Sequence, residues 1–460
     1  MKPDPNNRLT PLESRAALSL ASIFGLRMMG LFLILPVFAL YAEDLEGVTP
    51  LLVGIAISIY GLTQALLQIP FGMLSDRIGR KPVIVMGLLI FALGSVVAAM
   101  ATTIEWVIIG RALQGSGAVA AAIMALAADL TREQSRTRIM AVIGMSIGFA
   151  FTLSLILGPL LNAAIGVPGI FWLTAVLALV GIAVTLLLVP DPVASSFHRD
   201  AEPERKSLLA ALKNPDLLRL DFGILILHLV LTALFVVLPL VLRDQAGVAA
   251  DHHWLIYLPV MVLAMALMIP FIVISEKRRK MKPVMVFAVA LLCSSQLAFY
   301  LFGDSLAGAV IALLLFFTAF NVAEASLPSL ISKSAPAAGK GSAMGIYATS
   351  QFGGAFLGGL AGGAMHQFYG IESVFLLTAA ALALWLVVIS GMNPPRHLRN
   401  HIVPLGSMDE AQASELRGML LQLTGVIEAE VIAADGTAYL KIDPDLIAEQ
   451  GVDEFLRKWM

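Results

Sequence analysis

Twelve runs of about twenty mostly apolar residues follow one another along this 460-residue chain. Each is long enough for a helix rising 1.5 Å per residue to cross roughly 30 Å of hydrocarbon. The first six lie near 16–41, 50–75, 82–101, 105–129, 138–163 and 169–189, and the second six near 217–242, 253–275, 283–302, 305–331, 341–366 and 370–391. The first run is too long for a cleaved leader and lacks a small-residue cleavage site, so it reads as a retained helix. At 58% hydrophobic and 13% charged, the chain cannot be a water-soluble globule. A net charge of -2 offers no basic field for nucleic acid, and the one cysteine, Cys293, excludes an internal disulfide or a cysteine metal cluster. No metal or cofactor is expected, and no set of nucleophile, base and orienter suggests an enzyme.

Positive charge gives the sidedness, because Lys and Arg accumulate in short cytoplasmic loops. Of 30 basic residues, 27 fall on the side that holds both termini. The opposite loops hold Arg243, and Arg27 and Arg111 lie inside predicted spans. Both termini are therefore expected in the cytoplasm, and the asymmetry survives only if the spans number twelve.

The chain also repeats itself. Pro70, Phe71, Ser75, Asp76 and Arg77 are echoed by Pro270, Phe271, Ser275, Glu276 and Lys277, while Gly158, Gly166, Phe171 and Leu173 return 204 positions later as Gly362, Gly370, Phe375 and Leu377. Two six-helix halves in the same sense follow, 1–189 and 217–392, joined by a charged linker at 190–216. Parallel repeats of this kind place a substrate site between the halves near the bilayer midplane.

The loop after the second span reads Gly72, Met73, Leu74, Ser75, Asp76, Arg77, Ile78, Gly79, Arg80, Lys81. It resembles, over its full length, the signature Gly-x-x-x-Asp-Arg-x-Gly-Arg-Arg/Lys of the major facilitator superfamily, a resemblance that covers roughly residues 10–395. The expected fold is thus an all-α polytopic membrane protein of twelve transmembrane helices in two halves. Gly72 permits close helix packing, Gly79 a tight turn, and Asp76 can face the positive end of a helix. The resemblance implies that Asp76 caps the eleventh helix near Gly341 and that Arg80 pairs with Asp129, a conformational clasp that closes the cytoplasmic side. The second copy, Ser275 to Lys282, lacks both glycines, so the clasp is expected on one half alone.

Two further motifs carry the same resemblance. Arg111, Gln114 and Gly115 resemble the Arg-x-x-Gln-Gly run of the family's fourth helix, whose arginine the family associates with proton handling. A mid-helix arginine costs about 2.5–3.5 kcal/mol on insertion, so it must face a polar interior or bridge two helices through backbone contacts. Gly158 and Pro159 keep the core of the antiporter motif Gly-x-x-x-Gly-Pro-x-x-Gly-Gly, although Ser154, Leu161 and Asn162 replace its other glycines. A proline that frees a backbone carbonyl beside a small residue gives a bend, in keeping with the drug/proton antiporter branch.

The remaining polar groups inside the spans are few, and each is a functional candidate by default. They are Arg27, Gln64, Gln68, His228, Asn321 and Glu324. Gln64 and Gln68 are four apart, and Asn321 and Glu324 three apart, so each pair shares a helix face. Glu324 is the first choice for a proton carrier, being the acid deepest in a predicted span, and His228 the second. Arg27 is open to two readings: counter-ion to Glu324 or to a substrate carboxylate, or a gating residue. Glu105, Asp129 and Asp221 lie near span ends and are expected at the interface.

Beyond Pro394 and Pro395 the composition turns soluble. Residues 400–460 are expected as a small α+β module: a strand at 401–405, a helix at 409–423, strands at 426–433 and 437–442 around a turn at Asp435 and Gly436, and a helix at 444–459. The order resembles a ferredoxin-like domain of the heavy-metal-associated kind, but Gly406, Ser407, Met408 and Asp409 stand where paired cysteines would be, so contact with the membrane core or another protein is expected instead. The whole reads as a monomeric inner-membrane transporter of a small, amphipathic molecule, coupled to protons by antiport and without an ATP-binding loop. Two alternatives stand beside it: a transceptor or sensor signalling through the C-terminal module, and a facilitator without proton coupling.

Overall fold

The computed structural model describes residues 9–191, 205–336, 339–393, 398–406, 408–433, 436–443, 446–447, 451–452 and 454–456. Helix starts follow local chemistry. In α1 (Pro11–Phe32), Thr10 and Glu13 form a reciprocal capping box. Thr49 precedes Pro50 at the start of α3 (Pro50–Ile78), and Asn214 precedes Pro215 at the start of α9 (Pro215–Leu240), each supplying a side-chain acceptor ahead of a proline that has no N–H to satisfy.

Proline and glycine also set where helices stop. The first span ends at Phe32, short of the expected 41, and the chain turns before the one-turn α2 (Phe38–Tyr41). Pro36 lies in that turn, where it cannot donate to a helical ladder. The second and third spans are α3 and α4 (Arg80–Ala99), separated at Gly79, whose φ of 97° disfavours any side chain. The fourth span is broken at Gly117 into α5 (Ile104–Ser116) and α6 (Ala120–Asp129). In α7 (Glu133–Leu187) helical geometry fails at Gly166, φ 68°, so the element is two helices meeting at a sharp corner.

The rest of the membrane region comprises the short α8 (Arg205–Ala211), α9, α10 (Trp254–Lys277), α11 (Met281–Phe302), α12 (Leu306–Ser334), α13 (Lys340–Tyr369) and α14 (Ile371–Ser390). Ten helical segments among the described residues are long and apolar enough to cross a membrane. One of these, Arg138–Leu187, contains the Gly166 corner. Helix α13 is 30 residues long but is rich in glycine and carries Gln351, His366 and Gln367, so it stands outside the ten. Leu187 and Val387 are 73% and 72% exposed, which makes sense only against lipid.

Two interactions close the molecule on the charge-poor side. Helices α3 and α13 meet backbone to backbone: a Cβ on Gly54 would lie 2.0 Å from the Gly359 carbonyl oxygen, and one on Gly363 2.7 Å from that of Pro50. Small residues are what allow such contact where no hydrophobic force drives helices together. Beside them Arg243 donates to both oxygens of Glu43, at 2.6 and 2.9 Å, tying the π-turn after α9 to the loop after α2. On the opposite, charge-rich side, Arg132 pairs with Glu13 at 2.9 Å and Arg15 donates to the Leu188 carbonyl at 2.8 Å, both within the first six spans.

The C-terminal module contains β1 (Arg399–Pro404), α15 (Glu410–Gln422), β2 (Val426–Ile432) and β3 (Thr437–Ile442), with β3 central and antiparallel to both neighbours. Asp409 and Gln412 form the capping box of α15. The expected last helix, 444–459, and the turn residue Asp435 lie largely outside the described residues. Lys441, buried on β3, donates to the Lys333 carbonyl at the end of α12 at 3.2 Å. Burial holds its ammonium below the ordinary value, with Glu428 pulling the other way.

Tight packing of α13 on α9 makes a clean test. A Cβ on Gly358 would meet the Leu229 carbonyl oxygen at 2.1 Å, whereas Gly353 faces open space. Gly358→Leu is expected to lower the thermal melting temperature of the detergent-purified protein by several degrees, an overpacking cost of about 1–3 kcal/mol. Gly353→Ala is expected to leave it unchanged.

Candidate functional site

The polar residues inside the membrane region gather into two centres. The first lies among α1, α3, α4 and α5. Arg27, from α1, is 1% exposed and donates to Gln64 Oε1 at 2.5 Å and to the Gly117 carbonyl at 3.1 Å. Gln64 in turn donates to Gln68 Oε1 at 3.3 Å. The chain leaves helical geometry at Gly117, whose carbonyl also accepts from the Val119 N–H at 2.9 Å.

Arg111 stands one turn of α5 away and is fully buried. Its donors go to the Ala56 carbonyl (3.3 Å), the Ile57 carbonyl (3.2 Å) and Gln114 Oε1 (2.7 Å), and Gln114 is held by Ser95 Oγ at 2.8 Å. Arg111 thus staples α5 to α3 through backbone acceptors. Tyr60 lies between the two arginines, its ring centre 5.6 Å from the Arg27 guanidinium carbon and 5.4 Å from that of Arg111. Such cation–π contact offsets part of the cost of burying two like charges.

The second centre lies among α9, α12 and α13. The Gln351 amide nitrogen donates to His228 Nε2 at 2.8 Å and to Glu324 Oε1 at 3.3 Å, leaving Glu324 Oε2 3.9 Å from His228 Nε2. Glu324 Oε2 and Asn321 Nδ2 are buried without a hydrogen-bond partner. An aromatic series runs from this centre into the first half: His228 lies against Phe320 (6.0 Å between ring centres), Phe320 against Phe151 (6.0 Å), and Phe151 against Phe32 (5.0 Å).

Arg27 and Glu324 therefore sit in different centres, and the counter-ion pairing between them is absent here. Asp129 and Asp221, expected at the interface, are buried: the Asp129 side chain has no exposed surface, and Asp221 is 6% exposed. Gln351 and Tyr60 were not singled out from the sequence. Both were visible in principle, Gln351 as a polar residue in a glycine-rich span and Tyr60 one helical turn before Gln64 on the same face.

The loop after α3 forms a third cluster, on the charge-rich side. Arg80 is buried and donates to Asp129 Oδ2 at 3.2 Å, to Ser75 Oγ at 2.8 Å and to Asp76. Asp76 engages Arg80 rather than the start of α13, while Arg77 points to solvent. A Cβ on Gly72 would stand 3.2 Å from the Ala121 side chain, which brings α3 against α6. Farther along, a Cβ on Gly158 would lie 2.6 Å from the Leu33 carbonyl oxygen, so α7 meets the chain just past the end of α1 at close range, with Pro159 inside the helix. Among the described residues no three His, Cys, Asp or Glu side chains gather as a metal site would require.

This arrangement has relatives. The chain is 44% identical over 451 residues to the inner membrane transport protein YajR of Escherichia coli (strain K12), covering 98% of this chain and 99% of that one. It is 26% identical over 342 residues to the multidrug resistance protein MdtH of Edwardsiella ictaluri, covering 74% of this chain and 84% of that one. Among solved structures, a bacterial homologue of the human lysosomal transporter Spinster, in an inward-facing and occupied conformation, superposes with a TM-score of 0.68 at 14% identity, over 83% of this chain and 97% of that one. The Major Facilitator Superfamily pattern matches residues 20–359. With its helical membrane fold and its two intramembrane polar centres, the chain belongs to the Major Facilitator Superfamily of membrane transporters.

Proposed function

We propose that the chain is a proton-coupled secondary transporter that exports a small, amphipathic molecule across the inner membrane by alternating access. In this reading twelve helices cross the bilayer: the Gly166 corner divides one of the apolar segments, and α13 supplies another. Residues 1–189 and 217–392 are the two moving halves, 190–216 joins them, and both termini face the cytoplasm, as the placement of the basic residues favours. The C-terminal module is a ferredoxin-like domain, a reading supported by its central β3. Arg27, Gln64, Gln68, Arg111, Gln114, His228, Asn321 and Glu324 line or support the pathway.

The observation that carries the proposal is the Glu324 centre. A membrane-embedded carboxyl whose Oε2 is buried without a hydrogen-bond partner, with the Gln351 amide and the His228 imidazole as its neighbours and no Lys or Arg among the described residues paired with it, can take up a proton without breaking a Lys or Arg salt bridge. One proton moving inward down about 100 mV releases roughly 2.3 kcal/mol, enough for a substrate gradient of about 40-fold. Export is the direction that the name of the MdtH relative supports. The cytoplasmic switch is Gly72, Asp76, Arg77, Gly79, Arg80 and Asp129. With the charge-poor side closed, Asp76 is held by Arg80, and it meets the start of α13 when the halves rock the other way. Gly158 and Pro159 form the bend about which α7 follows that motion.

A second reading, a transceptor or sensor, is favoured by one contact, that of Lys441 with the end of α12. A pathway helix that carries Glu324 is thereby attached to the cytoplasmic module.

Two experiments test these readings. In proteoliposomes loaded with a pH-sensitive dye, Glu324→Gln is expected to abolish proton movement driven by substrate; unchanged proton flux would remove Glu324 from the mechanism. Substrate flux that survives while the proton signal vanishes in the wild type would mark a facilitator. Deleting residues 396–460 is expected to leave transport within about twofold of wild type, and loss of a cellular response without loss of transport would favour the sensor.

A further inference from the structure

The two centres differ in charge. Arg27 and Arg111 bring two guanidiniums within 5.6 Å and 5.4 Å of the centre of one tyrosine ring, and no carboxylate among the described residues pairs with either. Arg111 has its three nitrogens satisfied by neutral acceptors. Arg27 does not: its Nε and Nη1 are buried with no hydrogen-bond partner, although the side chain is almost wholly enclosed. A buried cation that keeps two N–H donors free is costly, and the cost is met when an anion accepts from both, since a guanidinium presents its donors as a fork matched to two oxygens.

The place is also suitable. Tyr60, against which Arg27 lies, touches Phe352 of α13 with ring centres 6.4 Å apart, so the cationic centre abuts the seam between the first and last six spans. Gln68 continues the polar face along α3. Along the seam Phe151, from α7 of the first half, meets Phe317 and Phe320, from α12 of the second, rings that suit an apolar body. Glu324, the acid of the second centre, would repel an anion, which fixes the orientation of a ligand with its charged head toward Arg27 and its apolar part toward the phenylalanines.

We infer that the transported molecule is an amphipathic organic anion, its carboxylate, sulfonate or phosphate head held by the free Nε and Nη1 donors of Arg27 and its aromatic or aliphatic body lodged against Phe151, Phe317 and Phe320. The inference rests on the transporter reading above and gives that site its substrate class. It also assigns the centres separate roles, Arg27 binding the anion and Glu324 the proton.

A set of probes that share one body and differ only in charge tests it. The full chain is purified in detergent, and its thermal melting is followed with 2-naphthoate, naphthalene-2-sulfonate, 2-naphthyl phosphate, neutral 2-naphthol and the 2-naphthyltrimethylammonium cation. A ligand that binds the folded state raises its melting temperature with concentration. At least one of the three anions is expected to do so and the neutral and cationic probes are not. Arg27→Gln is expected to raise the half-saturating concentration about tenfold or more, the loss of a charged hydrogen-bond pair. Arg27→Lys, which keeps the charge and serves where the glutamine variant does not fold, is expected to stay anion-selective but bind more weakly. The inference is overturned if none of the anions stabilises the protein, if the naphthol or the ammonium does so equally, or if the Arg27 variants match wild type. Anion stabilisation that accompanies intact proton flux in Glu324→Gln would sink the proton assignment and leave the anion site standing; no anion response together with lost proton flux would do the reverse.

Discussion

A charge inside hydrocarbon must find compensation from the protein, and the architecture of this chain is organised by that requirement. Outside the apolar spans the basic residues crowd one face of the molecule, where headgroups and water solvate them. Inside, several charged groups have partial compensation of their own: backbone carbonyls and Gln114 for Arg111, Gln64 and the Gly117 carbonyl for Arg27, Gln351 for Glu324, and Arg80 for Asp129. Helix breaks serve the same end. At the interruption the Gly117 carbonyl accepts from both the Val119 N–H and Arg27.

The second constraint is distance. Lipid gives helices no hydrophobic reason to associate, so contacts that must form and part rely on small residues and on a few ion pairs. The α3–α13 seam has both the glycines and a neighbouring Arg243–Glu43 clamp. Its partner on the charge-rich side is the Arg80 cluster, whose Asp76 points inward to its own loop. One side sealed and the other held in reserve is the geometry that alternating access needs, and the two polar centres lie between them.

Much of this could be read from the chain. Segment length and the 27-to-3 partition of basic residues gave the spans and their sidedness as expectations, and the Gly79 turn follows from residue chemistry that acts within a few positions. Partnerships across helices were harder. Arg27 read from the chain as a counter-ion to Glu324 or to a substrate carboxylate, or as a gate, yet it bonds Gln64, because one-dimensional spacing says which face a side chain shares but not which helix that face meets. Asp221 lay close enough to a span end to look interfacial, and only packing against α13 and α14 encloses it. Local chemistry misjudged the first span too, where Pro36 outweighs a continuous apolar run. The residues that complete both centres, Tyr60 and Gln351, are uncharged and gain importance only from what they stand beside.

In the proposed cycle, protonation inside the second half selects which side of the molecule is open. Electron spin resonance distances between labels at Asp44 and Asp251, on the charge-poor side of the two halves and with Cys293 replaced by serine, report that choice. A short distance is expected at alkaline pH, a second and longer population at acidic pH, and the acidic distribution at both pH values in Glu324→Gln. A single distribution unchanged by pH and by that substitution would contradict it.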